Sequence, residues 1–186
     1  MTDTAIIGEN VEIIQTKGPR AAFTWSVVIA GGLAAWAVSF IFISLGTGIG
    51  LAITSPYSGP SATAMTIGGA VWLVFAQTVA YSVGGYLAAR LRIRDHIPGP
   101  ETKFRDAAHG FMAWVVGVGI LTAAVILSGF LTTHVGVNAP AATTEAADAA
   151  RKAAAYVSFW SFMALLFGAI AATLAGMLGG ELRDEL

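Results

Sequence analysis

From Ala21 to Ala89 the chain carries no aspartate, glutamate, lysine or arginine, and a second such run extends from Ala107 to Thr144. About 20 apolar residues in a helix already cross the hydrocarbon of a bilayer, so these runs are too long for helices buried in a soluble core. A secretory signal does not explain the first run, because the apolar part of a signal is only about 7 to 15 residues. The balance of the chain agrees: 56% of its 186 residues are hydrophobic, 11% are charged, and the mean hydropathy is +0.73. In lipid every backbone polar group must be satisfied internally. With alternation this weak, a helical bundle is the economical solution.

The segment "TSPYSGPSAT" (Thr54 to Thr63) brings two prolines and a glycine into the first run and divides it. The expected fold is an all-α integral membrane protein with four transmembrane helices, at about 24–53, 62–91, 106–133 and 149–181. Asp106 is the expected N-cap of the third, and "HVGVNAPAATTEAAD" separates the third from the fourth. Residues 1–20, "MTDTAIIGENVEIIQTKGPR", are mixed in character and form a tail ahead of a single membrane domain, 21–186, either a mobile tail or one whose "AIIGENVEII" lies at the interface or against a partner.

Basic residues near the ends of spans mark the cytoplasmic side. Lys17, Arg20, Arg90, Arg92, Arg94, Lys103, Arg105 and Arg183 fall on one side, and only Arg151 and Lys152 on the other. Both termini and the loop from Arg92 to Arg105 are therefore expected in the cytoplasm, with both hairpin turns outside. The absence of an organelle signature, with the alanine- and glycine-rich style, points to a bacterial inner membrane.

The second and fourth helices end alike. "GGYLAARLR" (Gly84 to Arg92) overlays "AGMLGGELR" (Ala175 to Arg183), matching Gly85 with Gly176, Leu87 with Leu178 and Arg92 with Arg183. A parallel duplication of a helical hairpin would produce this, with a pseudo-twofold axis along the membrane normal. The same overlay sets Arg90 opposite Glu181, a candidate interfacial pair.

Small residues every four positions let helix backbones approach closely. The fourth helix has the longest such stripe, Ala164, Gly168, Ala172, Gly176 and Gly180, while Gly46 with Gly50 and Gly85 with Ala89 repeat the spacing elsewhere. Gly110 and Gly117 lie one heptad apart in the third helix. These stripes fit packing within one chain or between chains. "GTGIG" resembles a potassium-channel filter, but it falls near the outer interface with no pore helix before it, so it reads as a packing notch.

No ionisable residue lies at mid-depth, where a transporter would be expected to carry one. Gln77, with Thr78, Tyr81 and Ser82 beside it, is the most polar deep position and is expected to hydrogen-bond across the bundle. His109, three residues after Asp106, is either bonded to that side chain or facing the interface; together they are the only candidates for interfacial catalysis. His96 and His134 lie in or beside loops, and the spacing of the three histidines does not build a metal site. The chain has no cysteine, which excludes thiol chemistry, disulfides and iron–sulfur clusters, and "GxSxG" is absent. No cofactor is expected, and a net charge of −1 with scattered basic residues argues against nucleic acid.

Taken together, "TWSVVIAGGLAAWAVSF", "LGTGIGLAITSPYS", "GGAVWLVFAQTVAYSVGGYLAARLR" and "FRDAAHGFMAWVV" resemble a family of small alphaproteobacterial inner-membrane proteins, some of them labelled PhnA-like. The resemblance spans about Thr24 to Val116. It implies a four-span inner-membrane protein and supplies no activity or site residues. The label itself suggests a soluble, cysteine-bearing zinc protein, which a cysteine-free chain does not support.

The leading expectation for function is a non-enzymatic membrane subunit that packs with itself as a homo-oligomer or with a larger membrane complex, its remaining partner being the bilayer. The alternative is a small oligomeric channel or transporter with a lumen lined by Gln77, Thr47, Ser82 and Ser44. An interface enzyme using His109 and Asp106 comes third.

Overall fold

The computed structural model describes residues 23–54, 61–93, 99–134 and 143–185. They form four helices and, among the described residues, no strand: α1 (Trp25–Ile53), α2 (Ala62–Arg90), α3 (Gly99–His134) and α4 (Thr144–Asp184). Each is long and apolar enough to cross a membrane. The expected tail at 1–20, with Lys17 and Arg20, and the positions of Pro56, Arg94 and His96 lie outside the described residues.

Local chemistry sets the helix starts. The Ser61 side chain accepts from the Ala64 N–H at 3.2 Å and the Thr143 side chain from the Ala146 N–H at 3.2 Å, each satisfying one of the free donors of a first turn.

Two boundaries differ from those expected. α3 begins at Gly99, because Pro100 is tolerated in a first turn and Glu101, one turn before Arg105, pairs with it at 2.8 Å. Asp106 is therefore inside the helix and is not its cap. α4 begins at Thr144 and runs to Asp184, since the Thr143 cap and the Asp148 pairs with Arg151 and Lys152 carry the helix through its charged first turns. Charges end an apolar run in the sequence without ending the helix. At 1.5 Å per residue α4 is about 60 Å long, twice the roughly 30 Å hydrocarbon thickness.

The α2 and α4 axes run parallel and pack most extensively, with α1 antiparallel to α2 and α3 antiparallel to α4. α3 also touches α1 and α2, whereas α1 and α4, on the long diagonal, do not meet among the described residues. At the base, which carries the α1 N-terminus and the α4 C-terminus, backbones touch. A Cβ on Gly31 would sit 2.5 Å from the Gly84 carbonyl oxygen, and one on Gly179 would sit 2.5 Å from that of Tyr86. Gly85 and Gly110 both press on the Ala172 carbonyl. Only glycine permits these approaches, and dispersion and Cα–H···O contacts accumulate along them.

Toward the hairpin end the helices part. A Cβ added at Gly48, Gly68, Gly69, Gly119 or Gly129 would meet nothing within 4 Å, and residues 122–131 of α3 and 151–159 of α4 are exposed throughout. Two cavities open there, about 560 Å³ between α1 and α2 and about 620 Å³ between α2 and α4, sharing Met65, Gly69 and Leu73.

Candidate functional site

Three of the few charged side chains are buried together at the base. Arg92, just past the end of α2, donates from Nε to Asp106 Oδ1 at 2.9 Å. Arg183 near the end of α4 donates from Nη1 to the same oxygen at 2.9 Å and from Nη2 to Oδ2 at 3.1 Å. Asp106 is 2% exposed. Arg183 also donates from Nη1 to the Ala89 carbonyl at 2.9 Å, placing a cation on the negative end of α2. One carboxylate thus ties α2, α3 and α4 together through charge-assisted bonds, the strong class of hydrogen bond.

The α4 stripe makes room for this carboxylate. A Cβ on Gly180 would collide with the Asp106 carboxyl group, and one on Gly176 would lie 2.7 Å from the Asp106 backbone oxygen and 3.1 Å from the Gly110 Cα. Ala164, Gly168, Ala172, Gly176 and Gly180 are all buried inside the protomer. Their small size serves internal packing and the seat of Asp106.

His109, one turn from Arg105, is fully buried. Its Nδ1 lies 2.6 Å from the Arg105 carbonyl, and its Nε2 accepts from the Thr24 N–H at 3.1 Å. Those partners assign the neutral tautomer with the proton on Nδ1. Phe23 stacks on the ring at 4.5 Å. Thr24 is the N-cap of α1 and makes no side-chain cap bond, so His109 fastens the start of α1 to α3. His109 makes no bond to Asp106.

Arg90 and Glu181 do not pair. Glu181 bonds to Lys103 at 2.8 Å, while Arg90 Nη1 is buried without a hydrogen-bond partner. Glu181 of α4 meets Lys103 of α3, and Arg183 reaches both Asp106 of α3 and the Ala89 carbonyl of α2. Of the two aligned pairs that carry charge, the arginines Arg92 and Arg183 are the ones that converge.

The deep polar side chains are brought together only in part. Ser39 donates to Gln77 Oε1 at 3.1 Å across α1 and α2. Ser82 and Thr78 donate back to carbonyls of their own helix at 2.7 Å. Thr47 lines the α1–α2 cavity near the hairpin end, apart from Gln77. Gly46 lies under the Trp72 ring, whose Nε1 donates to the Phe42 carbonyl at 3.0 Å, so it is a packing notch. Gly50 has only the Met65 methyl, 3.9 Å from where its Cβ would be, and stands open. α1 stays helical through both glycines.

Chemically, this arrangement holds parts in place. Both Asp106 oxygens accept from guanidinium groups, and both His109 nitrogens are engaged with backbone. A polar cleft of about 330 Å³ beside them is lined by Thr102, Lys103, Asp106, Glu181, Asp184 and Glu185. Among the described residues no group of three His, Asp or Glu side chains is placed to hold a metal ion. The chain matches no family model, no curated protein and no solved structure with which it was compared.

Proposed function

We propose that this chain is a non-enzymatic integral membrane protein that acts as a self-assembling or accessory subunit of a membrane complex, with both termini in the cytoplasm of a bacterial cell and the hairpin turns outside. One observation carries the reading: the flank of α3 from 122 to 131 is largely apolar and exposed along its length, and a Cβ added at Gly119 or Gly129 would meet nothing within 4 Å. Small residues beside the exposed Val125, Ile126 and Phe130 suit the close approach of a further helix. The orientation rests on the excess of Lys and Arg at the base.

Against a pore within one protomer stands the use already made of its polar side chains, with Gln77 bonded to Ser39 and Ser82 to its own helix. Purification in mild detergent followed by native mass spectrometry tests the assembly reading. A discrete homo-oligomer or a stoichiometric partner is expected. In this cysteine-free chain a single Gly129→Cys substitution should form a disulfide or cross-link to that neighbour. A monomer that copurifies with nothing and does not cross-link at Gly129 refutes the proposal. Solute flux through reconstituted protein would favour the channel alternative.

A further inference from the structure

We propose that the cleft between the hairpin-end halves of α2 and α4 seats one acyl chain of a glycerophospholipid, with its phosphate held by Lys152 at the rim.

The cleft is built as an apolar slot with one charged end. Met65, Gly69 and Leu73 form the α2 wall, and Lys152, Tyr156 and Trp160 rise from α4. Lys152, Tyr156 and Trp160 are four residues apart, so they lie on one helix face, with the ammonium outermost and the two aromatic rings below it. Lysine, tyrosine and tryptophan in that order from the rim inward suit the depth profile of a membrane interface, where aromatic rings sit at headgroup level and a lysine reaches toward phosphate. Lys152 is 70% exposed although it lines the cleft, and it shares Asp148 with Arg151. The start of α4 is balanced overall, with Glu145 and Asp148 against Arg151 and Lys152, but an ammonium has three donors and the Lys152 bond to Asp148 takes one of them.

The volume and taper favour a chain over a helix. About 620 Å³ is within the range of small-ligand pockets, roughly 300–1,000 Å³. The gap closes toward the base where Tyr81 packs against Gly168, eight residues beyond Leu73 and Trp160, or about 12 Å along the axes. A helix of about 10–12 Å diameter cannot enter such a wedge, whereas a flexible hydrocarbon chain can follow it. Left empty, the apolar walls would forfeit dispersion contacts along their length.

The test measures lipid retained by the intact protein in native mass spectra. The probes are palmitoyl-oleoyl-phosphatidylglycerol and the diacylglycerol with the same chains but no phosphate. One phosphatidylglycerol should bind per protomer, about five-fold more tightly than the diacylglycerol, which is the equivalent of roughly 1 kcal/mol for one basic residue near phosphate. Lys152→Ala should erase that preference and leave diacylglycerol binding unchanged. Gly69→Leu and Ala153→Leu, which fill the slot from opposite walls, should each lower retention of both lipids at least ten-fold. A Cβ on Gly69 meets nothing within 4 Å and Ala153 is exposed, so both variants should keep wild-type helicity and melting. Wild-type retention in a folded slot-filling variant overturns the proposal, as does a phosphate preference that survives Lys152→Ala. It is equally overturned if filling the slot dissociates an oligomer while lipid retention is unchanged, because a second copy then occupies the cleft.

Discussion

Asp106→Asn removes one negative charge from a site where two guanidinium groups depend on it. The carboxylate accepts three hydrogen bonds, from Arg92 Nε, Arg183 Nη1 and Arg183 Nη2. Asparagine keeps the shape but offers one carbonyl oxygen and turns an N–H₂ group toward an arginine, so at least one bond is lost. Bonds to charged groups are worth about 1.5–3 kcal/mol each. The larger effect is weakened compensation of buried charge: the arginine side chains are 3% and 7% exposed, and while Arg183 keeps its bond from Nε to Asp184 Oδ1 at 2.9 Å, both guanidinium groups lose the anion they share. Breaking a buried pair by removing one partner costs about 3–5 kcal/mol, and that is the expected loss here, about a fifth or more of a fold stabilised by about 5–15 kcal/mol.

The assay is reversible unfolding in mixed micelles followed by helicity, with Lys103→Ala as the control. The Lys103 pair with Glu181 is exposed at both partners, and its removal should leave the unfolding midpoint close to that of the wild type. Replacing the whole group, as in Asp106→Leu with Arg92→Met and Arg183→Met, should be less destabilising than Asp106→Asn alone, because no charge is then left buried. If Asp106→Asn unfolds within about 1 kcal/mol of the wild type, the carboxylate does not hold the base together.

Three further outcomes are expected. Gly176→Leu should destabilise the protomer, since its Cβ meets backbone at 2.7 Å and 3.1 Å, whereas Gly129→Leu should melt like wild type and lose assembly in size-exclusion analysis. His109→Ala leaves the half-buried Thr24 N–H without that acceptor, at a cost of about 1 kcal/mol, and hydrogen exchange should accelerate at the start of α1. Gln77→Leu should cost about 0.6 kcal/mol, the average for a hydrogen bond between membrane helices, and adding Ser39→Ala should restore most of it; a cycle without coupling would contradict the Ser39–Gln77 bond.

The four spans were legible because crossing a bilayer requires apolar length, and length survives in a linear text. The face of α4 that packs was legible for a similar reason, since a period of four places residues on one side of a helix. The role of Asp106 was not. Its partners lie 14 and 77 residues away in sequence, and the local string "FRDAAH" reads as a helix start. A signal did exist in the overlay of Arg92 on Arg183: two equivalent arginines on parallel, adjacent helices converge, and any carboxylate between them becomes shared. The overlay misled at Arg90 and Glu181 because duplication preserves register but does not fix which neighbour each turn faces. α3 sits against α4 at that level and takes Glu181 through Lys103.

The two ends of the bundle are stabilised by different physics, and this decides where partners can act. At the base, ionic bonds and glycine-backed contacts fix the register of α2, α3 and α4, and neither kind tolerates sliding, because a shift of one turn would bury the Arg92 and Arg183 charges away from Asp106. At the hairpin end, α3 from 122 to 131 and α4 from 151 to 159 have few contacts within the protomer. Regions with few buried contacts open at lower free energy than the packed parts of a fold. A lipid chain in the α2–α4 cleft or a neighbouring helix on α3 would therefore bind where ordering costs least and stabilise the part that the chain leaves loose. The rigid base would hold the helices in position while either one docks.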